Sequence, residues 1–254
     1  MSAVAPSSAA ARKPAVPRNR IQRFMTSSVG LKVVMALTGL ALSLFVLGHM
    51  LGNLQAFQGA EALNDYAKLL RKEPALLWTV RVGLLAMIVL HVYAFLALRQ
   101  RNAAARPVAY GHKRAWREST VASRTMKITG PLLLLFIIYH LLHMTAGAVH
   151  PDFIEGDVHH NVVTGLRGVV GVVYVVAMLF LAFHLWHGVW SMMGTLGFRE
   201  GRYGSVGRHA ATAFATVVAV GFALVPLMVM LGVIGPEGSA PPAEPAAVAP
   251  SQAE

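Results

Sequence analysis

Polar and apolar positions along the chain separate into blocks. Stretches free of Asp, Glu, Lys and Arg run over 33–60, 82–98, 128–151, 168–198 and 209–236. Their clearly apolar parts are about 33–52, 76–98 (interrupted by Arg81), 128–149, 168–194 and 211–234. Each holds about 20 residues or more, which at about 1.5 Å per residue spans a hydrocarbon core of about 30 Å. Backbone amides have no water partner in that layer, so helix is the expected form. The pattern predicts an all-α membrane protein with five transmembrane helices.

The flanks read differently. The stretch "MSAVAPSSAAARKPAVPRNR" is rich in Ala, Ser, Pro and base, without the apolar core of a secretory signal. Residues 1–26 are read as a disordered basic cytoplasmic tail, 27–235 as the five-helix transmembrane domain, and 236–254 as a disordered outer tail.

Charge then sets the orientation. Seventeen of the 22 Lys and Arg lie before Lys32 or at it, between Arg99 and Lys127, or at Arg199, Arg202 and Arg208. Lys68, Arg71, Lys72, Arg81 and Arg167 fall on the opposite side, with most of the acidic residues. Positive loops stay inside, so the N-terminus is expected inside and the C-terminus outside. The net charge of +11 is mostly this topology signal, and no nucleic-acid partner is expected. A composition 56% hydrophobic and 13% charged excludes an ordinary soluble domain. The absence of Cys excludes disulfides, thiolate metal sites and cysteine-ligated iron–sulfur clusters.

Against this oily background the chain carries 11 His. His112, His150, His159, His160 and His209 fall in loops or at helix ends and are read as solvated. His49, His91, His140, His143, His184 and His187 lie within the spans, where an ionisable group is costly and normally faces a cavity, a cofactor or a partner. Depth along each span sorts them. The first and third spans carry His49, His140 and His143 toward the outer leaflet, and the second and fourth carry His91, His184 and His187 toward the inner one. Two pairs result, separated in level by about 13 Å of helical rise. Haem iron takes two axial imidazoles from facing helices, so two bis-His haems b suit this arrangement. Zinc draws three or four ligands to one point, often carboxylate or thiolate, and the spans hold neither. Gly39, Gly48, Gly52, Gly168, Gly171, Gly188 and Gly194 permit close approach of a helix or a flat macrocycle. At this level His140 and His143 remain alternatives, as do His184 and His187; depth slightly favours His143 as the partner of His49.

The motifs then carry a resemblance. They are "SSVGLKVVMALTG" opening the first span, "GHMLGNLQAFQGAEALNDYAKLLR" after it, "LHVYAF" on the second, "YHLLHMTAG" on the third and "FHLWHGVWS" on the fourth. In this order the chain resembles, over roughly 27–234, the cytochrome b subunit of succinate dehydrogenase and fumarate reductase in its single-subunit, five-helix, di-haem form. The resemblance implies axial ligand pairs His49 with His140 and His91 with His184, the first pair near the outer face. His143 and His187 would hydrogen-bond a propionate, a quinone or a backbone carbonyl, the ligand role of either staying open. It further implies a bacterial plasma (inner) membrane location, a flavoprotein subunit and an iron–sulfur subunit as partners, and a quinone, with menaquinone expected, as electron acceptor. No catalytic residue is assigned to this chain itself, and its oligomeric state is left open. Some fumarate-reducing members carry a Glu where this chain has Ala182, which tilts the expectation toward succinate oxidation.

Other residues have two readings. Glu61, Asp65 and Glu73 are candidate proton carriers or a solvated amphipathic loop helix. Arg81, Arg99, Arg124, Lys127 and Arg167 are propionate partners or snorkelling cations. Trp78, Trp186 and Trp190 are interface anchors or haem-packing rings. Three rival functions are another quinone-linked di-haem cytochrome b, a haem-free transporter with a histidine-lined path, and an anchor that has lost its haem. The first is disfavoured because four separate helices carry the candidate ligands.

Overall fold

The computed structural model describes residues 19–105, 121–198 and 203–236. Regular structure among them is entirely helical: α1 (Arg20–Met25), α2 (Ser28–Asn53), α3 (Ala60–Arg71), α4 (Pro74–Ala104), α5 (Val121–His140), α6 (Val158–Gly165), α7 (Gly168–Thr195) and α8 (Tyr203–Met230). A 3-10 stretch, Leu54–Gln58, follows α2, and a single π-helical turn, Leu141–Thr145, extends α5. Five segments are long and apolar enough to cross a membrane: Ser28–Gln58, Pro74–Ala104, Thr125–Thr145, Gly168–Thr195 and Gly204–Met230. These are the five spans expected from the charge-free blocks.

Local chemistry fixes the ends. The Ser27 hydroxyl accepts the Gly30 N–H at 2.9 Å and caps α2. Pro74 opens α4, where its missing N–H costs nothing. The third span, expected to reach 149, stops earlier. Ala146 N–H donates to the Leu141 carbonyl at 2.9 Å, a five-residue closure that widens the last turn. Gly147 then adopts φ 67°, a left-handed conformation that ends the helix. Part of the expected N-terminal tail is helical as well. Asn19 and Gln22 cap α1 reciprocally, each side chain accepting the other's backbone N–H, at 2.7 and 3.2 Å.

The long helices pack as couples. α4 lies along α2 through Leu31, Ala94 and Leu98, and α8 lies along α7 through Leu185, Ala215 and Val218. α5 packs on α7, and α2 touches both α7 and α8. Ala94 and Ala215 at these seams let the backbones approach, which is how helices associate where lipid removes the hydrophobic driving force. The outward face of α4, with Leu76, Val82, Leu85 and Val89 exposed, has the composition of a lipid-facing surface.

One end of the bundle is capped. α3, the 3-10 stretch and α6 cover it with an apolar core of Ala56, Leu63, Val162, Val163, Leu166, Tyr174, Val225 and Val229. Polar clasps hold the cap. Asn64 Nδ2 donates to Asp157 Oδ1 at 3.0 Å, and the His159 N–H donates to Asn64 Oδ1 at 3.0 Å. The Asn161 side chain pairs both ways with the Ile154 backbone at 2.8 Å.

Candidate cofactor-binding site

Two imidazole pairs sit at two levels of the bundle. His49 on α2 and His140 on α5 have ring centroids 5.9 Å apart. His91 on α4 and His184 on α7 have theirs 6.3 Å apart. His91 lies beside Thr38 and Gly39 of α2, ten or eleven residues before His49 on the same helix, so the levels differ by about 15 Å of helical rise. Both pairs bridge helices that make no extensive packing of their own, α2 with α5 and α4 with α7, among the described residues. The facing rings are therefore the approach between those helices.

The surroundings of the pairs differ. Around His49, Phe45 stacks at 5.5 Å and Phe222 tilts at 5.7 Å. The Asn53 amide donates to the His49 carbonyl at 2.7 Å. Phe136 stacks on His140 at 5.9 Å. Around the second pair the helices present glycine: a β-carbon at Gly39 would lie 3.3 Å from His91 Cε1, and one at Gly130 would lie 3.8 Å from His184 Cε1. Thr38 Oγ1 is 3.1 Å from His91 Nδ1. His184 Nδ1 is buried and has no hydrogen-bond partner.

The histidines that depth left as alternatives are separated by direction. His140 faces His49. His143, 2% exposed, turns toward the cap, where its Nδ1 is 2.9 Å from the Tyr174 hydroxyl and its ring stacks on His150 at 4.8 Å. The Tyr174 hydroxyl also reaches His140 Nδ1 at 3.3 Å. The slight preference of depth for His143 as the partner of His49 is thus reversed. The π-helical turn that begins at Leu141 swings the residues after His140 off the α-helical register. On α7, His184 is the ring that faces His91, while His187 is half-buried one turn further on.

Two of the histidines expected to be solvated are not. His150 is 5% exposed and His159 is 6% exposed. α6 folds back against the bundle, and a β-carbon at Gly165 would lie 2.6 Å from His150 Nε2. His150 Nε2 donates to the Asn161 carbonyl at 3.0 Å. A sequence signal for α6 was present: Asp157 precedes Val158, Val162, Val163 and Leu166, an N-cap followed by a helical apolar stripe. His160 is half-buried and His209 is exposed; His112 lies outside the described residues. Asp157 accepts the His160 N–H at 2.9 Å, and this bond, opposed by burial and aided by the Asn64 amide, holds its carboxyl below the usual range.

The other two-sided residues resolve in part. Glu61, Asp65 and Glu73 are exposed on or beside α3, matching a solvated amphipathic helix. Arg81 lies 5.2 Å over the exposed Trp78 ring, and Arg208 lies 5.2 Å over Trp190. Trp186 packs against the α7–α8 core.

The donor set fits haem better than a simple metal ion. Two metal–imidazole bonds of about 2 Å, with a ring radius of about 1.2 Å on each side, place centroids about 6 Å apart across one ion. Both observed separations match. Among the described residues no three His, Asp or Glu gather round one point, as a zinc centre would need. The sparse packing between the bridged helices and the glycines at the second pair suit a flat group held from two sides.

Comparison with known proteins gives an independent result. The sequence model of the succinate dehydrogenase/fumarate reductase transmembrane subunit matches residues 103–237. That region carries His140, His143, His184 and His187, so each ring pair takes one member from inside the match and one from outside it. Searches of curated proteins and of solved structures returned no match. Five membrane-capable helices and a match over more than half of the chain agree: it belongs to the succinate dehydrogenase/fumarate reductase transmembrane subunit family.

Proposed function

We propose that this chain is the haem b-containing membrane anchor of a succinate:quinone oxidoreductase in a bacterial plasma membrane. It carries electrons from a cytoplasmic iron–sulfur subunit, itself served by a flavoprotein subunit, to a quinone, with menaquinone the expected acceptor. The observation that carries this reading is the pair of facing imidazole couples, His49 with His140 and His91 with His184, each bridging two helices otherwise not packed together.

In this reading His91 and His184 hold the haem nearer the cytoplasm, and His49 and His140 hold the one nearer the capped, outer end. Each haem, when bound, supplies a one-electron iron couple. The chain's own work is to fix the axial ligands, shield them from water and set their second partners. Phe45, Phe136 and Phe222 pack the outer pair in apolar surroundings. Quinone reduction also takes up protons, and beyond the outer pair the buried exchangeable hydrogens include those of Tyr174, His143 and His150. The basic loops predicted to face the cytoplasm offer a surface for the partner subunit.

A dithionite-reduced minus oxidised spectrum of the purified chain, with haem quantified per polypeptide, tests the proposal. Two b-type haems per chain are expected. A protein without a Soret band overturns the reading and turns attention to a histidine-lined transport path.

A further inference from the structure

The Thr38 hydroxyl has a single hydrogen and three close neighbours. It lies 2.8 Å from the Val34 carbonyl, 3.2 Å from the Met35 carbonyl and 3.1 Å from His91 Nδ1. Thr38 is 4% exposed, so water does not enter the arrangement. The shortest contact goes to a carbonyl one helical turn back, which can only accept, so the hydroxyl donates there. Its oxygen then faces His91 as an acceptor. This neighbour therefore calls for a hydrogen on Nδ1. That placement leaves the lone pair on Nε2, the form in which an imidazole ligates a metal.

We infer that Thr38 is a positioning residue: its hydroxyl locks His91 in the Nε2-ligating tautomer and raises the electron donation of that ring. The inference rests on the proposed function, since it concerns the inner of the two haems. At the outer pair the Tyr174 hydroxyl lies between two imidazoles, 3.3 Å from His140 Nδ1 and 2.9 Å from His143 Nδ1, and can donate to one while accepting from the other. Gly39, next to Thr38, leaves room for the His91 ring, so one turn of α2 supplies both the space and the hydrogen bond.

A ligand whose second nitrogen donates a hydrogen bond is more basic and favours oxidised iron. Removing the acceptor therefore raises the reduction potential of the haem that His91 holds. The test is a redox titration, followed optically, of full-length wild type, Thr38→Val and Thr38→Ser in membranes or the purified complex. Thr38→Val keeps the shape and loses the acceptor; Thr38→Ser keeps the acceptor. The expected result is one potential raised in Thr38→Val, the other unmoved, and recovery toward wild type in Thr38→Ser. Loss of a single haem in Thr38→Val, with both retained in Thr38→Ser, supports the same role. Two haems with unchanged or lowered potentials in Thr38→Val overturn the inference and leave the proposed function standing, as does equal haem loss in both variants. A wild-type chain that binds no haem overturns the proposed function and this inference with it.

Discussion

The rings of His91 and His184 face each other at 6.3 Å across two helices that make no extensive packing of their own. A buried imidazole normally satisfies its nitrogens with nearby protein groups. Here His91 Nδ1 has the Thr38 hydroxyl at 3.1 Å, while His184 Nδ1 has no partner. On the proposed function the Nε2 lone pairs of both rings go to the iron between them, and that premise makes the following outcomes measurable.

Single alanine replacements should divide the six membrane histidines into two groups. His49→Ala, His91→Ala, His140→Ala and His184→Ala are each expected to lower the haem content from two to one or fewer per chain. His143→Ala and His187→Ala are expected to keep both haems. Pyridine haemochrome quantification on purified protein checks this. Retention of two haems by His140→Ala together with loss in His143→Ala would reverse the assignment on α5.

Tyr174→Phe removes a hydroxyl that serves His143 Nδ1 at 2.9 Å and His140 Nδ1 at 3.3 Å. Leaving buried polar nitrogens unpaired costs about 1–3 kcal/mol. The variant is expected to melt at a lower temperature in detergent and to keep two haems, with the reduced spectrum of the outer one displaced. Thermal unfolding followed beside the optical spectrum separates the two effects.

At Gly165 a β-carbon would lie 2.6 Å from His150 Nε2 and 2.9 Å from His143 Cε1. Gly165→Ala must therefore push the stacked histidines or lift α6 away. A loss of about 1–3 kcal/mol is expected for such overpacking. Limited proteolysis of the α6 region is the direct readout: faster cleavage than wild type is expected, and unchanged cleavage would show that the stack yields freely.

Asp157 ties the cap together through the His160 N–H and the Asn64 amide. Losing an N-cap acceptor costs about 0.5–2 kcal/mol, so Asp157→Ala is expected to loosen α6. The pH dependence has a definite sign. The native carboxyl is held below its ordinary value, first by the His160 N–H. Its contribution is therefore complete above the unfolded-state pKa of about 3.9 and is lost as pH falls through the lower native value. Hydrogen exchange in α6 should be insensitive to this group from pH 5 to 8 and should accelerate below about pH 4. Asp157→Ala is expected to remove that acid sensitivity.

The five spans were legible because charge is excluded from a hydrocarbon layer over a length that helical rise fixes. The two levels of histidine were legible for the same reason, since rise converts sequence number into depth. Direction around the helix was not. His140 and His143 differ little in depth, and the π-helical turn at Leu141–Thr145, which sends the second ring toward Tyr174, has no marker in composition. The burial of His150 and His159 escaped because α6 is only eight residues long and its two adjacent histidines look polar. Thr38, Asn53, Gly130 and Tyr174 escaped too: one hydroxyl, amide or missing side chain in an apolar run does not disturb its hydrophobicity. A tyrosine or threonine within a span was the one available signal, since its polar tip must find a partner there.

The pairing of alternate helices also constrains biogenesis. His49 waits for its counterpart until α5 has left the ribosome, and His91 waits until α7 has. During that interval α2 and α4 can lodge in the bilayer as a couple, joined by Leu31, Ala94 and Leu98, yet with both imidazoles unmatched. On the proposed function the porphyrin would act as a late staple, and a chain truncated after α5 would be able to close only the first of its two clasps.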